Sequence, residues 1–199
     1  MPRRTALEDL RVQAGACTAC ELYRHATQTV FGEGPITASV VLLGEQPGDH
    51  EDRAGRPFVG PAGAVLDRAL ADAQLDRRAI YVSNVVKHFK FVRSGKVRLH
   101  QKPNAAELRA CRPWWEAELA AIQPHVVCCL GATAAQAVLG SRVRVTRDRG
   151  RFVPLPFGPM ATVTIHPSAV LRADDRHRTV LYDGLVADLS AVAAHVSDT

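Results

Sequence analysis

The stretch from Gly44 to Ala64, GEQPGDHEDRAGRPFVGPAGA, constrains the fold of this chain more than any other. It follows an apolar run, Ser39 to Leu43, and precedes an amphipathic one that begins at Val65. A strand therefore hands over to a helix there. Five glycines and three prolines in 21 residues describe a shaped loop, not a simple connection. In α/β sheets, ligands bind in the crevice at the carboxyl ends of the strands, so this loop is the first candidate for an active site.

The remaining patterns place strands and helices in alternation. A short helix over 5–14 runs into the turn Cys17-Thr-Ala-Cys20. Beyond the long loop, Val65, Leu66, Ala69 and Leu70 share one face of a helix over 61–75. Residues 79–86, 125–130, 152–155 and 161–165 read as strands, the last two flanking a turn at 156–159. Asn104 is an N-cap with Glu107 three residues on, as in a capping box, and Pro113 must kink or restart the helix that follows. A helix over 132–139 opens after Gly131. The closing helix over 178–196 buries Val180, Leu181, Leu185, Leu189 and Val192. The expectation is a single α/β domain over 1–199, three-layered, with a central, mainly parallel four-stranded sheet.

No apolar run approaches the ~18 residues of a membrane span, and MPRRTALEDL is too polar for a signal peptide. A cytoplasmic protein with no membrane partner is expected. The net charge of +5 is compatible with an anionic partner. The charge is clustered: Lys87, Lys90, Arg93, Lys96, Arg98 and Lys102 lie in a loop over 87–103 that holds no acidic residue up to Lys102. That loop is either a solvated surface or a phosphate-binding one. Phe89 and Phe91 between the charges could stack on bases or pin the loop. Without a secretory leader, five cysteines argue against a disulfide framework. The CxxC follows a helix and not a strand, which favours a ligand role over a redox one.

Three motifs, GEQPGDHEDRAGRPFVGPAG at 44–63, SNVVKHFKF at 83–91 and HPSAVLR at 166–172, resemble the uracil-DNA glycosylase superfamily, and family 4 most broadly. Gln46 and the insertion Lys96-Val-Arg-Leu-His100 resemble the UdgX subgroup, whose members bond covalently to uracil-DNA. Val97 and Leu99 stand where that subgroup typically has Arg and Ile. The resemblance implies uracil-containing DNA as partner, single-stranded, bound by a monomer. It places Gly44, Gln46, Phe58 and Asn84 in the uracil pocket. The alternative for Phe58 is anchoring the core, and for Asn84 capping a turn. His166 would meet the uracil oxygen as charge builds, or else satisfy loop backbone. Glu45 would stabilise the sugar cation or orient a nucleophile, with Asp52 as second choice. His100 would attack the anomeric carbon. Arg98 would hold a flanking phosphate or brace the loop, and Lys87, Lys90, Lys96 and Ser168 would meet DNA.

The resemblance also implies a [4Fe-4S] cluster on Cys17, Cys20 and Cys111, with His88 standing where family 4 has a third cysteine. Zinc fits three Cys and one His as well. Cys128 and Cys129 are the other possible fourth ligands, but they sit in an apolar strand where Cys behaves as a small hydrophobe. Two other functions fit part of the pattern: a conventional multiple-turnover glycosylase, and a metal-stapled nucleic-acid-binding module without chemistry.

Overall fold

The computed structural model describes residues 6–156 and 158–197. The leading MPRRT, which carries part of the leader reading and the first residue of the first helix, lies outside the described residues, as does Phe157 of the 156–159 turn. In chain order the elements are α1 (Ala6–Gly15), β1 (Val40–Gly44), α2 (Asp49–Ala54), α3 (Pro61–Asp72), β2 (Tyr81–Asn84), β3 (Phe91–Ser94), β4 (Val97–His100), α4 (Ala105–Ile122), β5 (Val126–Leu130), α5 (Ala132–Leu139), α6 (Val145–Asp148), β6 (Val153–Pro154), β7 (Met160–Thr164), α7 (Pro167–Arg172) and α8 (Asp175–Ser197).

Apolar β1, β2, β5 and β7 associate because both their faces can be covered. The sheet order is β2-β1-β5-β7-β6, parallel throughout except for β6, which runs antiparallel to β7. Five strands form where four were expected. The fifth is the two-residue β6, both of whose residues are exposed. Alternation along the strands builds two cores. Val41, Leu43, Val127, Cys129 and Val163 meet α1, α4 and α5. Val40, Leu42, Val126, Cys128 and Leu130 meet α3 and α8. Each fully buried aliphatic side chain contributes roughly 1.5–3 kcal/mol relative to exposure. The result is the three-layer α/β fold.

Three local expectations change: the basic loop, the 44–64 loop and Val180. The basic loop over 87–103 contains a β-hairpin, β3 against β4, with Phe91 opposite His100 and Arg93 opposite Arg98. Gly95 at its tip has φ 58°, a left-handed conformation that glycine adopts freely. The 44–64 loop holds a helix of its own, α2. Pro113 lies inside α4 without ending it, and the Asn104–Glu107 capping box opens that helix. Val180 is exposed although α8 buries Leu185, Leu189 and Val192. By length and composition alone α8 could cross a membrane. Those three residues pack in the core with α3 and the sheet, as in the core helix of a folded domain.

Candidate active site

The carboxyl ends of β1, β2, β5 and β7 open into a cleft of about 700 Å³, within the range of small-molecule sites. Gly44, the last residue of β1, lies opposite Asn84, the last of β2. A side chain at Gly44 would strike the Asn84 amide and the Phe58 ring, whose Cζ stands 2.7 Å from the Cβ position. Glycine there lets both groups close over the cleft floor. Phe58 itself has φ 56°, and a side chain at Gly63 would strike its carbonyl. Glu51 holds this loop in shape, accepting from Gly60 N at 2.8 Å and Gly48 N at 3.0 Å.

Glu45, the residue after β1, has two polar neighbours. Thr133 at the start of α5 donates its hydroxyl to Oε2. His100 at the end of β4 places Nε2 3.3 Å from Oε1. His100 is half exposed. Burial holds its pKa below the ordinary histidine value, opposed by Glu45 and reinforced by Arg172, so the ring is neutral at pH 7.

His166 caps α7. Its Nδ1 accepts from Ser168 N at 3.2 Å and lies 2.8 Å from the Ser168 hydroxyl. With Nδ1 accepting, the neutral ring carries its proton on Nε2. Burial first, then the charges of Arg172 and His100, push the pKa down to about 4. The ring centroid is 6.2 Å from that of Phe58. Gly131, with φ 88°, leaves room for the imidazole, because a Cβ there would come within 2.9 Å of His166 Cβ.

Several residues expected at the site do other work. Gln46 borders the cleft, but its amide grips the hairpin: Nε2 donates to Lys90 O at 3.2 Å and Gln101 O at 3.0 Å, and Oε1 accepts from Lys90 N at 3.2 Å. Asp52 is fully buried away from the cleft. Its carboxylate accepts from Thr27 N at 2.9 Å, the Thr27 hydroxyl at 2.6 Å and Arg98 Nη1 at 2.6 Å. A carboxylate so saturated cannot serve a sugar. Arg98 takes the bracing role: it pairs with Asp49 and Asp52, and its guanidinium carbon lies 4.9 Å from the Phe91 ring centre and 5.4 Å from that of Phe89. Lys87 is buried on Glu118 and cannot reach DNA. Lys90 pairs with Glu107 at 2.9 Å. Lys96 is exposed at the hairpin tip.

Thr133, Lys102 and Arg172 also line the cleft, with no individual site role expected from the sequence. Thr133 is signalled by a Gly-x-Thr at a strand–helix turn. Lys102 closes the basic run. Arg172 ends the HPSAVLR motif, four residues after Ser168, to whose hydroxyl it donates at 2.9 Å.

In a small separate apolar cluster, Cys20 and Trp114 pack against Leu22, Val86 and Cys111. Trp114 Nε1 donates to Cys17 Sγ at 3.2 Å, and Lys87 N to Cys111 Sγ at 3.3 Å. His88 Nε2 is 2.9 Å from the Thr29 hydroxyl, which also contacts Ala14 O near the CxxC turn. His88 Nδ1 is buried with no hydrogen-bond partner. Among the described residues no three such side chains converge on one metal ion. Cys128 and Cys129 are fully buried on opposite faces of the sheet, in separate cores.

A profile of the uracil DNA glycosylase superfamily matches residues 31–190. The chain belongs to that superfamily. It is 35% identical over 184 residues to a type-4 uracil-DNA glycosylase of Thermotoga maritima, covering 91% of this chain and 92% of the relative. A type-4 enzyme of Pyrobaculum aerophilum is 33% identical over 165 residues, 78% and 80% of the two chains. A type-5 uracil-DNA glycosylase of Thermus thermophilus is 34% identical over 150 residues, 70% and 68%. The superfamily match spans the whole cleft, from the residues before β1 to α8.

Proposed function

We propose that this protein excises uracil from single-stranded DNA as a monomer and retains the deoxyribose on His100. The observation that carries the second part is the placement of His100 Nε2 3.3 Å from Glu45 at the cleft mouth. A base must leave the stack to reach such a cleft. Phe58 offers it a ring, the Asn84 amide a donor and an acceptor for its polar edge, and His166 an Nε2–H for an oxygen that gains charge. As the C1′–N1 bond breaks, its electron pair leaves with the uracil anion, which His166 stabilises. Glu45 faces the cationic sugar. A neutral imidazole has one lone pair and one N–H. The lone pair forms the N–C1′ bond, and the remaining ring proton passes to Glu45 and on to uracil. The products are free uracil and a His100–DNA bond.

The test is a denaturing gel of protein mixed with uracil-containing single-stranded DNA. A heat- and SDS-stable shifted band that disappears in His100→Ala is expected. Its absence, or its survival in that variant, overturns the covalent reading. A second reading, a conventional glycosylase that turns over, is favoured by the Thr133–Glu45 contact, which leaves the carboxylate oriented to aim a water. Uracil released in molar excess over protein would establish it.

Cys17, Cys20, Cys111 and His88 suit an iron–sulfur cluster. The buried, unpartnered His88 Nδ1 supports this, as do the N–H groups of Lys87 and Trp114 directed at sulfur. Held on these four residues, a cluster would tie the N-terminal segment and the segment after β2 to α4. Iron and acid-labile sulfide in equal amounts on the purified protein are expected, falling in His88→Ala; zinc alone would refute the cluster.

A further inference from the structure

Lys87 carries a buried charge that the excision chemistry leaves unused. Its side chain is 1% exposed and that of its partner Glu118 is 0%. An ammonium has three N–H donors, and each has an acceptor here: Glu118 Oε2 at 2.6 Å, Ser83 Oγ at 2.6 Å and the Asn84 carbonyl at 2.9 Å. Glu118 is fixed in turn by Gly32 N at 3.0 Å, the Tyr81 hydroxyl at 3.0 Å and the Ser83 hydroxyl at 2.9 Å.

The third contact reaches the site. Asn84 ends β2, and the following peptides are tied down by Val85 N to Gly44 O at 2.9 Å and Val86 N to Glu45 O at 3.0 Å. Those bonds hold the turn to β1 and the residue after it. Lys87 holds the Asn84 carbonyl from the interior. The direction in which a side chain leaves the backbone is set by the peptide planes on either side of its own residue. A hold on that carbonyl therefore fixes where the Asn84 amide points. A flexible lysine becomes a strut because its ammonium is held at three points, Glu118, the Ser83 hydroxyl and the Asn84 carbonyl.

We propose that Lys87, anchored by Glu118, is the positioning residue that aims the Asn84 amide at the bound base. The inference rests on the reading of Asn84 as the reader of uracil. Truncating Lys87 alone would strand Glu118 as an unpaired buried charge. The decisive variant is therefore Lys87→Met with Glu118→Gln, which removes both charges together. Glu118→Gln alone is the comparison: the Lys87 ammonium it leaves unpaired should lower the amplitude, while Lys87 still donates to Ser83 and to the Asn84 carbonyl, so the rate constant is the readout. Single-turnover excision on a uracil-containing single strand gives a rate constant, for molecules that are active, and an amplitude, for how many are. Affinity for the undamaged strand is measured by competition.

The double variant is expected to lose at least about tenfold in rate constant, as small misplacements of reacting groups do, with undamaged-strand affinity unchanged. Glu118→Gln should stay within about threefold of the parent. A merely structural network would lower amplitude and leave the rate constant alone, overturning the proposal. An equal fall in rate constant in both variants would overturn it too. An inactive parent overturns the glycosylase reading and this inference together, whereas an active parent matched by the double variant overturns this inference alone.

Discussion

Arg98 Nη1 and Asp52 Oδ2 meet at 2.6 Å, joining the exposed hairpin to a carboxylate with no solvent contact. Arg98→Ala strands that charge. Breaking a buried pair destabilises by about 3–5 kcal/mol, and Thr27 keeps Asp52 partly satisfied, so the lower end is expected. For a chain of 199 residues this corresponds to a melting temperature lower by roughly 6–12 °C. Thermal unfolding followed by circular dichroism checks it. A change of under 2 °C would show that the pair contributes nothing.

Gln46→Ala removes the three hydrogen bonds that clamp the hairpin to the loop after β1. Such bonds contribute about 0.5–1.5 kcal/mol each. Because the amide grips backbone and not base, inhibition by free uracil should be unchanged while capture on His100 slows about tenfold or more. Weaker uracil inhibition with normal capture would return Gln46 to the base pocket.

Gly44→Ala places a methyl group against the Phe58 ring and the Asn84 amide. Excision should fall by at least about a hundredfold because the base can no longer enter. Affinity for undamaged DNA should be retained, since both side chains are buried in the cleft. Equilibrium binding and single-turnover excision separate the two effects.

The pH response follows from His166, whose pKa is pushed down to about 4. Between about 6.5, the ordinary histidine value, and about 4, the unfolded chain binds a proton that the folded one does not. Stability therefore falls as pH drops through that window and is unaffected above it. His100 also sits below the ordinary value. Single-turnover rate should accordingly stay level from pH 8 to pH 6.5 and fall only at lower pH. A loss centred at or above pH 7 would mean that one of these rings carries charge in the working state.

The strands of the sheet were legible because unbroken apolar runs such as Val40–Leu43 and Val126–Leu130 need cover on both faces. The long loop was legible because its glycines and prolines have no other explanation. The hairpin was not: Arg93, Ser94, Val97 and Arg98 show no apolar alternation, and the groups that anchor it, Gln46 and Asp49, are more than 40 residues away. Lys87 failed for a related reason. Its sequence neighbours suggested a basic surface, and only Glu118, 31 residues on, shows it to be internal. Asp52 and Arg98 each looked available alone; the pairing that removes Asp52 from the chemistry is tertiary. Val180 had the right spacing on α8, but the helix turns it outward beyond the edge of the core.

The β3–β4 ribbon shares no hydrogen-bonded strand with the five-stranded sheet. Its outward residues Val92, Val97 and Leu99 are exposed and support nothing beneath them. The element bearing His100 is thus an attachment to an already complete scaffold, fastened mainly through Gln46, Asp49 and Asp52. Replacing 91–100 with a short turn should leave the parallel sheet and its two cores folded. A lineage could then gain or lose the residue proposed to retain DNA without rebuilding the parallel sheet or the cleft at its carboxyl end.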